Sequence, residues 1–333
     1  MAILGVPLAN LVLSLAVAGT ISLAAYPLAR RNSRLTTLGL FGVIAGLVCC
    51  PLLIPPQNMG LRAICAFVAT DLAFRVIDFA RQARRATATL TSAPSASWAQ
   101  YANFLLPFPV LMIVWGERPP WRFNRAAWQL EPFRVLAGAG LVAAAVWLLI
   151  LAHRTELLQS SFLLDHIVMV CAYVVAIESL AAFLLGIERV AGFDTEPLIR
   201  NAFLARTPAE YWLRYNTRVQ RWLQLNVFVP GGGRRHPVRG IVLVFLVSAL
   251  LHEVMFDIAT SEITGYQAAF FLLQIPAVLI SRRLEMFARE HGAAGDLVAR
   301  VVTFVWFAAT SVFFFYGVAR IFPFIYAGEG NWL

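Results

Sequence analysis

Nine apolar runs, near 6–27, 36–54, 61–80, 100–116, 135–152, 162–187, 241–259, 266–280 and 301–319, alternate with shorter polar stretches along the chain. Most approach the roughly 20 residues a helix needs to cross a hydrocarbon core of about 30 Å. None shows the strict apolar–polar alternation of a barrel strand, so the runs predict helices. In lipid only helices and closed barrels satisfy their own backbone groups. The expected fold is therefore all-α, a polytopic transmembrane helical bundle of eight or nine spans. No internal repeat is visible, and low complexity is confined to the Ala/Ser/Thr-rich patch 87–97 and to Gly231–Gly233. The chain reads as a single integral membrane domain, 1–333, with N-terminal helices to 190, a polar middle region over 191–260 and C-terminal helices over 261–333.

Composition supports this reading. The chain is 60% hydrophobic and only 14% charged, where soluble domains carry about 25% charged residues. Its mean hydropathy is +0.72. A soluble enzyme, a disordered chain and a disulfide scaffold are excluded. The formal net charge of +9 comes from 27 basic residues, all of them Arg. Absence of Lys points to a GC-rich, bacterial genome and so to an inner membrane. In such a protein basic charge marks cytoplasmic loops and anionic headgroups rather than nucleic acid. Arg clusters at 30–34, 81–85, 200–239 and 282–300 are thus expected on the cytoplasmic side.

That topology exposes a parity problem. Three apolar runs separate the second and third clusters, whereas a return to the same side needs an even number of crossings. One run must be re-entrant, split or interfacial. The segment 115–134, which mixes Arg118, Arg122, Arg125 and Arg134 with Trp115, Trp121 and Trp128, is expected to lie as a helix in the membrane interface. Cys49, Cys50, Cys65 and Cys171 lack metal-ligand spacing and read as packing residues. No basic n-region precedes the first run, so a cleaved signal peptide is not expected.

Chemistry enters with His252. It lies eleven residues after Ile241 in the run 241–259, about 16 Å along a helix and close to mid-bilayer. His252, Glu253 and Asp257 in one span would be costly facing lipid, so they should face a protein interior or a water-filled cavity. A neutral imidazole there can take a proton from a hydroxyl. The alternative is a buried histidine in a structural hydrogen bond.

Upstream, Thr207 can cap a helix that has Pro208 at its first position and Glu210 at the capping-box spacing. One helix is expected over 207–226. On its wheel Trp212, Tyr215, Val219, Trp222 and Leu223 form an apolar stripe opposite Arg214, Arg218 and Arg221, and Asn216 sits on the apolar side. An amide placed there can hydrogen-bond a substrate carbonyl or orient a base; equally, it can cap or bridge helices.

Together these pieces resemble the membrane-bound O-acyltransferases, especially the wax-synthase-like branch. The stretch 209–223 reads AEYWLRYNTRVQRWL, a Gly/Pro loop follows, and 247–253 reads VSALLHE. The family pattern pairs an aromatic-Trp-x-Arg helix ending in aromatic-Asn with an apolar helix carrying Ser-Gly/Ala-x-x-His-Glu. The resemblance maps the family's Asn onto Asn216 and its catalytic His onto His252, 36 positions apart, with Glu253 matching the Glu that often follows. It covers about 192–258, a fifth of the chain. A single Arg214 stands where two arginines are common, and Ala249 where Gly is common.

The resemblance implies transfer of an acyl group from acyl-CoA, as co-substrate, to the hydroxyl of a lipophilic alcohol. His252 is the implied base and Asn216 a supporting catalytic residue, with Glu253, Trp212, Ser248 and Asp257 around them. Arg214, Arg218, Arg221 and Arg235 are candidates for the phosphates of coenzyme A, although anionic lipid headgroups explain such a rim nearly as well. No metal-ligand cluster and no bound cofactor are expected, and Ser248 lacks a nucleophile-elbow setting. The rival from another class is a transporter using His252, Glu253 and Asp257 as a proton or ion relay. Elsewhere, Asp71, Arg75, Asp78, Arg81 and Arg85 recur along one helix face and are expected to pair against another helix. Glu178 is expected to line a cavity or be protonated, and His153, His236 and His291 to be solvated.

Overall fold

A computed structural model describes residues 2–88, 96–106 and 109–327. Two compact units emerge from it, Met1–Arg118 with Leu251–Ile263, and Pro119–Leu250 with Thr264–Leu333. Most of the low-complexity patch 87–97 lies outside the described residues.

The first unit begins with α1 (Ala2–Ala24), the short α2 (Tyr26–Arg30) and α3 (Arg34–Cys49), followed by α4 (Met59–Ala88) and α5 (Trp98–Leu105). Ser33 opens α3 with a reciprocal capping box to Thr36, which satisfies two of the helix's first donors. Tyr101 of α5 is fully buried, donates to the Ser22 carbonyl at 2.7 Å and packs its ring 4.5 Å from Phe79 of α4.

The apolar run 100–116 is not a ninth span. Only α5 is helical, and the described residues after it are irregular. Val110, Ile113 and Val114 are buried, so their apolar character reflects burial inside protein rather than contact with lipid. Irregular backbone needs partners there, and α4 supplies them. Arg75, fully buried, pairs with Asp71 at 2.9 Å and donates to the carbonyls of Phe104 (2.5 Å), Leu106 (3.4 Å) and Val110 (2.6 Å). Asp71 accepts from Met112 N at 2.7 Å and Asp78 from Trp115 N at 2.5 Å. The charged face of this helix therefore holds a loop, not the neighbouring helix expected from its spacing.

In the second unit, α6 (Arg125–Ala152), the short α7 (Glu156–Ser160) and α8 (Phe162–Val190) precede α9 (Pro208–Arg214) and α10 (Thr217–Leu223). Then come α11 (Pro237–Thr260), whose residues from Leu251 belong to the first unit, α12 (Tyr266–Glu290) and α13 (Gly292–Ile321). The interfacial helix expected over 115–134 does not form. Pro119 and Pro120 keep the chain extended as far as Asn124. Asn124 Oδ1 then caps α6 by accepting from Ala126 N and Ala127 N at 3.0 and 3.3 Å, so 125–134 are the first turns of a long helix.

Helices α6 and α8 approach closely at small residues. A Cβ on Gly138 would stand 2.8 Å from the Ser179 carbonyl, and one on Gly186 would stand 2.8 Å from the Val135 side chain. At the far end of α8, His166 bonds the Ala308 carbonyl at 2.7 Å and Tyr326 Oη at 2.9 Å, while Asp165 accepts from Ala327 N at 2.9 Å. His153 is half-buried, 3.0 Å from Asp165, which corrects the solvated position expected of it. The fully buried carboxylate of Asp165 draws it in. His236 and His291 are exposed, as expected.

Six helices are long and apolar enough to cross a membrane by length and composition. Among the described residues α4 and α12, of 30 and 25 residues, are also long but more charged, and are not among these six.

Candidate active site

Helix α11 places Ser248 and His252 one turn apart on one face, and Glu253 and Asp257 one turn apart on the next. Ser248 is buried and donates to its own helix, to the Val244 carbonyl at 2.9 Å. His252, Glu253 and Asp257 are half-buried. The end of α11 is anchored within the first unit by a residue the sequence reading passed over. Arg62, buried at the head of α4, donates to the Ile258 carbonyl (3.3 Å), to Ser261 Oγ (2.5 Å) and to the Ile54 carbonyl (2.7 Å). Its signal was faint: a lone Arg at the start of an apolar run.

In the second unit Thr207 caps α9 by accepting from Glu210 N at 3.2 Å, with Pro208 in the first turn, as its spacing predicted. The helix expected over 207–226 nevertheless breaks at Asn216. Tyr215 is extended and Asn216 is left-handed, with φ of 46° and ψ of 61°. Asn is among the few residues that tolerate this conformation, because its short amide can bond locally. Its Oδ1 accepts from Val219 N at 3.4 Å and opens α10. The break is stitched in place by Thr217, whose N donates to the Leu198 carbonyl and whose Oγ1 donates to Pro197, both at 2.8 Å. Wheel arithmetic could not see this, since one left-handed residue leaves hydropathy unchanged. Beyond α10, Gln224–Phe228 is wound as a π turn.

Aromatic rings surround the break. The Trp212 ring lies 5.5, 5.8 and 5.9 Å from Phe245, Phe271 and Phe307, and its buried Nε1 has no hydrogen-bond partner among the described residues. Tyr211 stacks on Tyr215 at 5.3 Å, and Tyr215 Oη meets Tyr173 Oη at 2.8 Å. Burial holds the phenols of Tyr211 and Tyr215 above the usual range, so both remain neutral donors. Glu178, in the same unit, accepts from Ala202 N at 3.2 Å.

The four candidate arginines differ in their surroundings. Arg218 is buried and bonded through both Nη atoms to Glu188. Arg214 pairs with Glu210 at 2.5 Å. Arg221 reaches Gln224 at 3.4 Å and Arg235 is exposed on the turn before α11. Among the described residues no group of His, Cys, Asp or Glu is arranged to hold a metal ion.

An apolar helix carrying His252 and a broken amphipathic helix carrying Asn216 are both parts of one larger match. Residues 96–319 fit the family described as MBOAT, membrane-bound O-acyltransferase family. Over 143 residues the chain is 29% identical to the probable long-chain-alcohol O-fatty-acyltransferase 3 of Arabidopsis thaliana, covering 39% of this chain and 41% of that protein. It is 27% identical over 147 residues to the probable sterol O-acyltransferase 2 of Schizosaccharomyces pombe, covering 44% and 29%. With the diacylglycerol O-acyltransferase 1-1 of Oryza sativa subsp. japonica it shares 24% over 106 residues, covering 31% and 20%. In each case the match spans less than half of the relative's own length. The chain is an integral membrane protein and belongs to the membrane-bound O-acyltransferase family.

Proposed function

We propose that this protein transfers the acyl group of acyl-CoA to the hydroxyl of a lipophilic alcohol, in the manner of a wax-ester synthase, from the inner membrane of a bacterium with its Arg-rich loops cytoplasmic. The observation that carries the reading is His252, an imidazole on the membrane helix α11 within the family match. The relatives' names contain a long-chain alcohol, a sterol and a diacylglycerol, all lipids with a hydroxyl to esterify.

In the proposed step His252 takes the proton of the acceptor hydroxyl as its oxygen attacks the thioester carbonyl. The C–O bond forms, the C–S bond breaks, and the imidazolium returns the proton to the departing thiolate. The two substrates balance the step, with no acyl-enzyme and no bound cofactor. In this step Asn216, whose Oδ1 accepts from Val219 N, would support through its amide the carbonyl oxygen as it gains charge. Arg214, Arg221 and Arg235 would receive the donor's phosphates, while Arg218, bound to Glu188, holds α10 in place.

The test is thiol release and ester identification in purified membranes, with acyl-CoA donors of several chain lengths and a panel comprising a long-chain alcohol, a sterol and a diacylglycerol. Alcohol-dependent release with ester product supports the reading and names the acceptor. No release with any pair, together with proton or solute flux that His252→Ala alters, would replace it with the relay of a transporter.

A further inference from the structure

A cavity of about 720 Å³ lies in the second unit, where α6 begins and α8 ends. That volume falls within the roughly 300–1,000 Å³ of small-molecule sites. Its walls carry two cations, Arg122 and Arg189, two carboxylates, Glu131 and Asp194, and the apolar Phe123 and Leu130. The shape is built, not incidental. Arg122 N donates to the Gly192 carbonyl and Trp121 Nε1 to that of Ala191, both at 2.8 Å, so the extended segment is fastened to the turn after α8. Gly192 sits at a φ of +91°, and a Cβ there would stand 2.5 Å from Trp121 Nε1.

Three of the four charges are linked to one another, Glu131 and Asp194 both pairing with Arg189. Glu131 is held by Arg134 at 2.7 Å and by Arg189 at 3.3 Å. Arg122 is exposed, and no hydrogen bond or ion pair engages its guanidinium among the described residues. Arg189 Nε is buried without a hydrogen-bond partner among the described residues, being 3.7 Å from Asp194, whose side chain is 94% exposed. The cavity thus offers guanidinium donors with an exposed carboxylate beside them. It lies where two candidate membrane spans end, beside exposed Trp121, Phe123 and Trp128, the aromatic types that mark the headgroup level.

We propose that this cavity binds the headgroup of a zwitterionic phospholipid bearing a primary ammonium, a phosphoethanolamine lipid. The phosphate diester meets Arg122 and Arg189 Nε, the ammonium donates to Asp194, and the glycerol and acyl chains run out over Phe123 and Leu130. A choline headgroup has no N–H to give Asp194. A glycerol headgroup brings no cation, leaving the carboxylate facing a phosphate.

Native mass spectrometry of the delipidated full chain, titrated with ethanolamine, choline and glycerol phospholipids of equal chains and with coenzyme A, tests this. The ethanolamine lipid should bind at least about tenfold tighter than the other two, a difference of one charge-assisted hydrogen bond. Arg122→Gln should weaken all three lipids, whereas Asp194→Asn should bring ethanolamine down to the choline level and leave choline unchanged. Both side chains are exposed, so the variants should fold. Equal binding of the three lipids, or binding indifferent to both variants, overturns the proposal. Displacement of lipid by coenzyme A overturns it as well, showing a site for the phosphates of the acyl donor.

Discussion

Arg218 of α10 and Glu188 of α8 form a two-pronged ion pair, with Nη atoms 2.7 and 2.5 Å from the two carboxylate oxygens and both side chains buried. Thr195 Oγ1 also bonds this carboxylate. An arginine so engaged positions the helix that Asn216 opens. Removing one partner leaves an uncompensated buried charge, which costs about 3–5 kcal/mol. Arg218→Ala should therefore lower the unfolding temperature in detergent sharply. Arg218→Met with Glu188→Leu should restore much of the loss. Arg235→Gln, at an exposed position, should leave unfolding unchanged and raise the KM for acyl-CoA several-fold, less so at high salt.

Asn216 has two separable properties, its left-handed backbone and its amide. Gly keeps the first and removes the second, while Ala removes both. Asn216→Gly should fold with near wild-type stability, and Asn216→Ala should lose about 1 kcal/mol or more from strain and the missing cap. If the amide acts on substrate, both variants lose ester formation. Retained activity in Asn216→Gly would reduce Asn216 to a turn residue. Activity and thermal unfolding measured on the same preparations separate the cases.

Arg75 should prove structural. Its three carbonyl partners and Asp71 are all within the first unit. Arg75→Leu strands buried carbonyls and the Asp71 charge, at a cost of several kcal/mol. Limited proteolysis should show new cleavage within 106–124, ahead of the wild type.

Alkaline stability should follow the tyrosines beside the break. The Tyr211 and Tyr215 phenols titrate higher in the folded chain than the value of about 10 expected when unfolded. Above that value the unfolded chain has released protons that the folded chain retains. Their contribution is thus full below about pH 10 and declines as pH rises further. Tyr215→Phe should flatten this decline, as seen by comparing thermal unfolding at about pH 8 and about pH 10.5.

Much of this was legible in the sequence, and the misreadings share a cause. Run lengths identified the six helices long and apolar enough to cross a membrane, and the pattern around Asn216 and His252 pointed to the family. The run 100–116 misled because burial in protein and burial in lipid select the same side chains; only Arg75 and Asp71 reveal a loop. A wheel assumes an unbroken helix, so it missed the break at Asn216. His153 read as solvated because its partner, Asp165, lies across a turn whose geometry no spacing rule encodes.

The central claim, that His252 is the base, is tested most directly by ester formed per folded molecule in His252→Ala against wild type, at saturating acyl-CoA and alcohol and with folding checked by unfolding temperature. A general base contributes about 10²–10⁴-fold, so the account predicts a fall of that size with stability retained. A folded His252→Ala that makes ester within a few-fold of the wild-type rate would contradict it.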